Sequence, residues 1–404
     1  MTNIPAPVPT APAKQPRTLP PAPRGFALPV AIFAIGVIGV LVTGGFFIAR
    51  QETRIGISSQ KGAEAFYLAE LGVSNVLDDW QAASFSQMAM GDSVMRSGTT
   101  TEGDYDVNIT RLSNWLYFLD SRATITNGGP MLRGASRRVG TLAKVRTLDI
   151  RPRAALTTVH SLRVGGSSQI IGQDEHPPEW GSLCNPADLT DKPGVLIDDP
   201  SNLTTNGNKW EIEGNPAVDS DPTLTSASLL VLGNLTWDQL KAMANVTLSP
   251  GVSITQVDPD SISSGTDWIC NKSNNRNWGD PLNPGSACGG HFPIIYARGD
   301  VGIQSNDAGQ GILLVEGDLK LAGGFNFYGP VVVRGELSTA GTGGHVHGGL
   351  IAANVNLDTS TVLGNAVVQY SSCAVTRAVL NNSRLTFAVP LSERSWVDLT
   401  NIGN

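Results

Sequence analysis

Residues 26–49, FALPVAIFAIGVIGVLVTGGFFIA, form an uninterrupted apolar run without a single charge. At a rise of ~1.5 Å per residue, a helix of that length crosses the hydrocarbon core of a bilayer. In lipid only a helix satisfies its own backbone, so the run is predicted to be one transmembrane helix. Pro29 falls in the first turn, where a missing N–H costs little. Arg50 closes the run, and Gln51, Glu52 and Arg54 follow it. The helical pattern then continues through residues 55–80, with apolar Ala63, Phe66, Tyr67, Leu71 and Leu77. A single helix over 26–85 is expected, with 26–49 in lipid and the remainder outside.

Beyond the helix the period changes. Residues 81–102 are small and polar and read as a loop. Segments 105–112, 115–126 and 137–150 alternate in part, at Val107/Ile109, Ala123/Ile125 and Val145. They predict a small antiparallel β-meander over 86–152, packed on the outer half of the helix. From residue 153 a repeat emerges: PIIYARGDV (293–301), GILLVEGDL (311–319), PVVVRGEL (330–337) and GLIAANVNL (349–357), with AVVQY (366–370) as a truncated fifth unit. Gly299, Gly317, Gly335 and Asn354 recur at intervals of about 18–19 residues, the signature of a β-solenoid whose rungs bury their inner faces only by stacking. Residues 159–172 have the same character and suggest an earlier rung. That assigns 153–373 to the solenoid and about 173–290 to a loop-rich insertion. The insertion holds one short helix near Thr236–Ala244, with Thr236 as N-cap and Gln239 in the third position. Residues 374–404 are expected to form a tail, a helix and then an extended piece capping the open end of the solenoid. The fold class is therefore mainly β with one long N-terminal α-helix.

Composition agrees: charged residues make up only 16% and glycine contributes 45 residues, which favours strands and turns over a helical bundle. The formal net charge is -7. The leader 1–25 carries Lys14, Arg17 and Arg24 and no acid, so the rest of the chain is more acidic still. An acidic body argues against nucleic acid as a partner. Leader cations keep the N-terminus in the cytoplasm, giving a single pass of an inner membrane with an exported C-terminal body. The many prolines of the leader exclude a helix there and predict disorder. Cys184, Cys270, Cys288 and Cys373 all lie on the exported side, outside any C-x-x-C spacing. Two disulfides would admit three connectivities. The shortest loop favours Cys270–Cys288, leaving Cys184–Cys373, while four buried thiols are the alternative.

Arg24-Gly25-Phe26-Ala27-Leu28 before a long apolar helix resembles the start of a type IV prepilin. Ala65-Phe66-Tyr67-Leu68-Ala69-Glu70-Leu71-Gly72 resembles the A-x-x-x-A-E-x-G pattern of pilin and PilX-type minor pilin N-terminal regions. The resemblance covers about residues 24–80. It implies cleavage between Gly25 and Phe26 by a prepilin peptidase and N-methylation of Phe26. It also implies partners among other pilin subunits, the pilus assembly platform and membrane lipid, and a place in a cell-surface filament after assembly. Glu64 and Glu70 would lie on the assembly helix. Val30 stands where major pilins usually carry Glu. A carboxylate in lipid is costly and is kept only with a partner, so its absence points to a minor pilin or pseudopilin. The exported body would then serve assembly or adhesion. A signal-anchored surface protein that is never cut is the competing account of the same helix.

The body carries few groupings suited to chemistry. Asp300, Asp318 and Glu336 recur in successive rungs, so a membrane-anchored solenoid enzyme acting on polysaccharide is an alternative. Their place after turn glycines favours solvated corners, and the chain is expected not to be an enzyme. His345 and His347 share one strand face but are too few for a metal site. Asp219/Asp221 and Asp258/Asp260 lie in oxygen-rich loops that can bind calcium but lack the spaced calcium-loop pattern, so no cofactor is expected, with calcium as the alternative.

Overall fold

The computed structural model describes residues 27–127, 134–185, 187, 189–265, 267–355, 357, 359–392 and 396–400. Helix α1, Ala27–Asp78, is continuous for 52 residues. Its first half projects alone, and every residue from 27 to 56 is exposed. Its second half buries Gly62, Ala65, Leu68, Ala69, Gly72, Val73 and Val76, a stripe at three- and four-residue spacing. The helix was expected; of the apolar residues that marked it, Phe66 and Leu77 pack partly against the sheet. Tyr67 and Leu71 stay 69% and 42% exposed, whereas the small residues carry the packing. The reason is proximity: a Cβ on Gly72 would lie 2.7 Å from the Tyr105 ring and 2.9 Å from Ser121 Oγ.

The stripe packs on an antiparallel sheet of β1 (Ser93–Thr99), β2 (Gly103–Arg111), β3 (Leu116–Ile125) and β4 (Ser136–Thr147), in that order. Val107, Ile109, Leu119, Ala123, Ile125, Val139 and Ala143 supply the facing core. The stretch expected as a loop, 81–102, contains β1. Among the described residues this edge strand pairs only with β2, and its polar sequence, SVMRSGT, lacks the apolar alternation that marks a half-buried strand. Between α1 and β1 the chain turns at Trp80, which is buried against Phe85 and Tyr117 with ring centroids 4.7 and 5.0 Å away.

Two sets of parallel strands form the solenoid. The predicted repeat is visible as its register: Ile295 pairs with Leu313, Leu313 with Val331 and Val331 with Leu350. Bends split each rung into three short faces. Strands such as Ile312–Val315 are buried on both sides, with Leu313 and Val315 inside the coil and Ile312 and Leu314 under an outer layer. This double burial explains why the repeats read as apolar triplets. The third face alternates normally, as in Leu319–Ala322, where Lys320 points out. The outer layer comprises the expected short helix α2 (Trp237–Ala242), capped by Thr236 and Gln239, together with Trp180, Phe292 and α3 (Ser372–Leu380).

The order of rungs departs from the chain order. Residues 156–158, 162–165 and 169–171 stack on the far side of the last repeat, not before the first: Leu156 pairs with Leu350, Leu162 with Ser360 and Gln169 with Val367. Strands 195–197, 203–206, 211–213 and 218–220 extend that end. The chain then crosses to the opposite end, where 246–248 and 252–254 begin the run that returns to residue 370. Residues 173–290 are thus not one insertion, because their strands build rungs at both ends. The strand Val367–Tyr370 fills the first part of the same rung that 156–165 completes. Entry and exit therefore lie side by side in mid-stack.

This arrangement also redirects the tail. Helix α3 stays on the solenoid, against strands 326–333 and 345–352, and so do Asn382, which donates to the Phe292 carbonyl, and buried Leu385. Thr386–Pro390 pairs antiparallel with β4, matching Thr386 to Thr147 and Pro390 to Ala143, and Trp396–Asp398 pairs with β4 further on. The extended tail completes the sheet on α1 and does not cap the solenoid. Two disulfides, Cys184–Cys373 and Cys270–Cys288, staple the body, with Cα separations of 5.6 and 4.8 Å.

Candidate functional site

The first site is α1 itself. Gly25 and Phe26 lie outside the described residues. Val30 sits in the first described turn, 58% exposed, among Leu28, Ile32 and Phe33, which are also exposed. One helix here is long and apolar enough to cross a membrane. Its polar groups are satisfied within the helix: Thr43 Oγ1 donates to the Gly39 carbonyl at 2.7 Å, and Thr53 does the same to Ala49 at 2.8 Å. Beyond the apolar run, Glu64 is ion-paired with Lys61 and accepts from Gln60 Nε2 at 3.0 Å. The Lys61 hydrogen bond, chiefly, holds its carboxyl below the ordinary range. Glu70 is half-buried beside Ala69, and no hydrogen bond or ion pair engages it among the described residues. The A-E-x-G segment thus divides its work: Ala65, Ala69 and Gly72 face the sheet, while Tyr67 and Leu71 are left on the open side.

The acidic ladder has a structural role in the solenoid corner. Asp300 Oδ1 accepts from Asp318 N at 2.9 Å, and Asp318 Oδ1 accepts from Glu336 N at 2.8 Å. Each carboxylate satisfies the backbone of the next rung. A Cβ on Gly317 or Gly335 would overlap the Asp300 or Asp318 carboxylate, which explains the recurring Gly-acid pair. His347 stacks on Tyr328 with centroids 4.7 Å apart, and His345 Nδ1 meets Asn326 Oδ1 at 3.2 Å. Asp221 accepts from Thr223 and from Arg153 at 2.7 Å, and these hydrogen bonds lower its carboxyl to about 2. Asp260 accepts from Asn271 and Asn274 at 2.7 and 3.1 Å. Asp219 is bound to Ser220 N at 2.8 Å, and Asp258 accepts from Gln256 at 3.3 Å. Among the described residues, no three His, Cys, Asp or Glu side chains gather as metal ligands.

Sequence reasoning missed a cavity of about 460 Å³ at the seam of the two modules. Its walls come from the turn after α1, residues 182–185, and α3, on which the Cys184–Cys373 bridge sits. Arg377 on α3 lines it. A lone basic residue in a short apolar helix carries no sequence signal of such a place.

Neither a family model nor a curated protein matches the chain. Among solved structures, it is similar to the competence-associated pilin ComZ from Thermus thermophilus. The identity is 12% over 84% of this chain and 96% of that one, with a TM-score of 0.24.

Proposed function

We propose that the chain is a minor pilin-like subunit of a type IV pilus or related secretion filament. It would be inserted through α1 and would present the solenoid outside for assembly or adhesion. One observation carries this reading: a single 52-residue helix whose apolar first half stands free and whose second half is sewn into an antiparallel sheet by small residues. Such a helix serves both as a membrane span before assembly and as a packing element afterwards. The exposed Tyr67 and Leu71, one turn apart on the same side, leave an apolar strip beyond the lipid segment, where other pilin subunits would pack. Val30 in place of an acid favours a minor position over the shaft. A structural role, not an enzymatic one, is supported by the ladder acids, since Asp300 and Asp318 are engaged with backbone N–H groups. The test is mass spectrometry of the membrane form from cells with an active prepilin peptidase. An N-methylated chain beginning at Phe26 is expected; a chain that still begins at Met1 overturns the reading.

A further inference from the structure

The seam cavity holds an unbalanced charge. Arg377 is 9% exposed. Its Nε is buried without a hydrogen-bond partner, and no carboxylate pairs with its guanidinium among the described residues. Its Cζ lies 4.8 Å from the Trp180 ring centroid and 5.4 Å from that of Phe292. Ring faces offset part of the cost of desolvating a cation. Burial of an unpaired charge costs more than that, so a deficit remains. The N-terminus of α3 does not compete for an anion, because Asp174 Oδ1 already accepts from Ser372 N at 2.8 Å. The rest of the wall mixes neutral hydrogen-bonding side chains, Gln87, Ser182, Asn185 and Thr376, with apolar Ala83, Leu183 and Leu380, and has no carboxylate among the described lining residues. His176 also lines the cavity, and its Nε2 is a second buried polar atom without a partner. Water can satisfy a polar atom, but it does not neutralise a cation.

We propose that this cavity binds a carboxylate-bearing monosaccharide, with the carboxylate on Arg377 and the hydroxyls on the neutral side chains around it. The volume lies within the range of about 300–1,000 Å³ typical of small-ligand sites. A guanidinium takes a carboxylate through paired N–H donors, and the hydroxyl and amide rim suits a polyol more than a compact inorganic anion. The assignment goes beyond the filament reading and does not depend on leader processing.

The test uses the full chain in detergent, titrated with D-galacturonate, D-galactose and inorganic phosphate, with melting temperature and tryptophan fluorescence as readouts. Galacturonate is expected to raise the melting temperature and to bind about tenfold or more tightly than galactose. Arg377→Met should abolish that response while the unliganded protein melts at the same or a higher temperature, because an uncompensated charge has been removed. No response to galacturonate, an equal response to galactose or phosphate, or an undiminished response in Arg377→Met would each overturn the assignment. Should Arg377→Met fail to fold, Thr376→Val decides: a severalfold loss of galacturonate affinity supports the site, and an unchanged affinity overturns it.

Discussion

Gly311, Gly329 and Gly348 stand at one bend of three successive rungs, with φ of +123°, +135° and +148°. A side chain on Gly329 would be driven into the Gly311 carbonyl of the rung beside it. Gly329→Ala is therefore expected to cost on the order of 3 kcal/mol in urea unfolding, through backbone strain and collision together. A loss below ~1 kcal/mol would show that the bend relaxes. This glycine row was not noticed in the sequence, where Gly299, Gly317 and Gly335 had already supplied the period. Histidine predicts a pH effect at the same scale. Burial lowers His291 and His347 to about 4, with Lys272 and His345 respectively adding to the shift. The folded state thus holds these rings neutral while the unfolded chain takes up protons near its ordinary value. Their contribution is complete above about pH 6.5 and is lost as pH falls toward 4. The melting temperature should drop on acidification through that window, and the double variant His291→Gln/His347→Gln should lose part of that drop, on the order of 5 °C. Equal pH profiles for the two proteins would count against burial as the cause.

Among the elements, α1 was legible in its existence, but it ends at Asp78, seven residues before the expected end at 85, and its buried face was not legible. Apolar periodicity marked a helix without choosing its buried face, and the sheet took the side of Gly62, Ala65, Ala69 and Gly72, leaving Tyr67 and Leu71 exposed. Hydropathy ranks side chains by size and polarity, whereas a close helix–sheet contact selects small ones. Two glycines separate the cases. At Gly72 a methyl would meet buried Ser121 and the inner atoms of the Tyr105 ring, which is half-buried and held by a 2.7 Å hydrogen bond from Asn75 Nδ2 to its hydroxyl. Gly72→Ala should destabilise by roughly 1–3 kcal/mol. At Gly62 the obstacle is the far end of the Arg137 side chain, which can swing away. Gly62→Ala should be neutral or stabilise by up to ~1 kcal/mol, the helix propensity gained. Chemical denaturation of the two variants tests the difference, and equal losses would contradict this packing. Strand β1 was missed for a related reason: an edge strand with one pairing partner needs little apolar alternation.

At the level of the whole molecule, the solenoid is a continuous coil cut in its middle rung. Tyr370 pairs beside Gly348, and the next positions, Gly349 and Leu350, face the segment that begins at Ala155. Joining residue 370 to residue 155 through a residue or two and opening the chain at exposed Pro222 should give a body that folds alone. Cys184→Ser would be included, because Cys373 is left out. Cooperative thermal unfolding with a β-type circular dichroism spectrum is expected; a broad, non-cooperative melt would show that the coil needs the helix module. Local information in the sequence determined the apolar helix, the 18-residue corner period, the Thr236 cap and the presence of four cysteines, because each rests on neighbours or near neighbours along the chain. The tertiary structure alone decided which face of α1 is buried, that 156–220 stacks after residue 362, and that the tail strand returns to β4. It alone decided that Arg377, Trp180 and the Cys184–Cys373 bridge share one seam. These outcomes depend on contacts between residues distant along the chain, from 33 positions for Gly72 and Tyr105 to 194 for Leu156 and Leu350, and periodicity carries no trace of which distant strand edge will close on which.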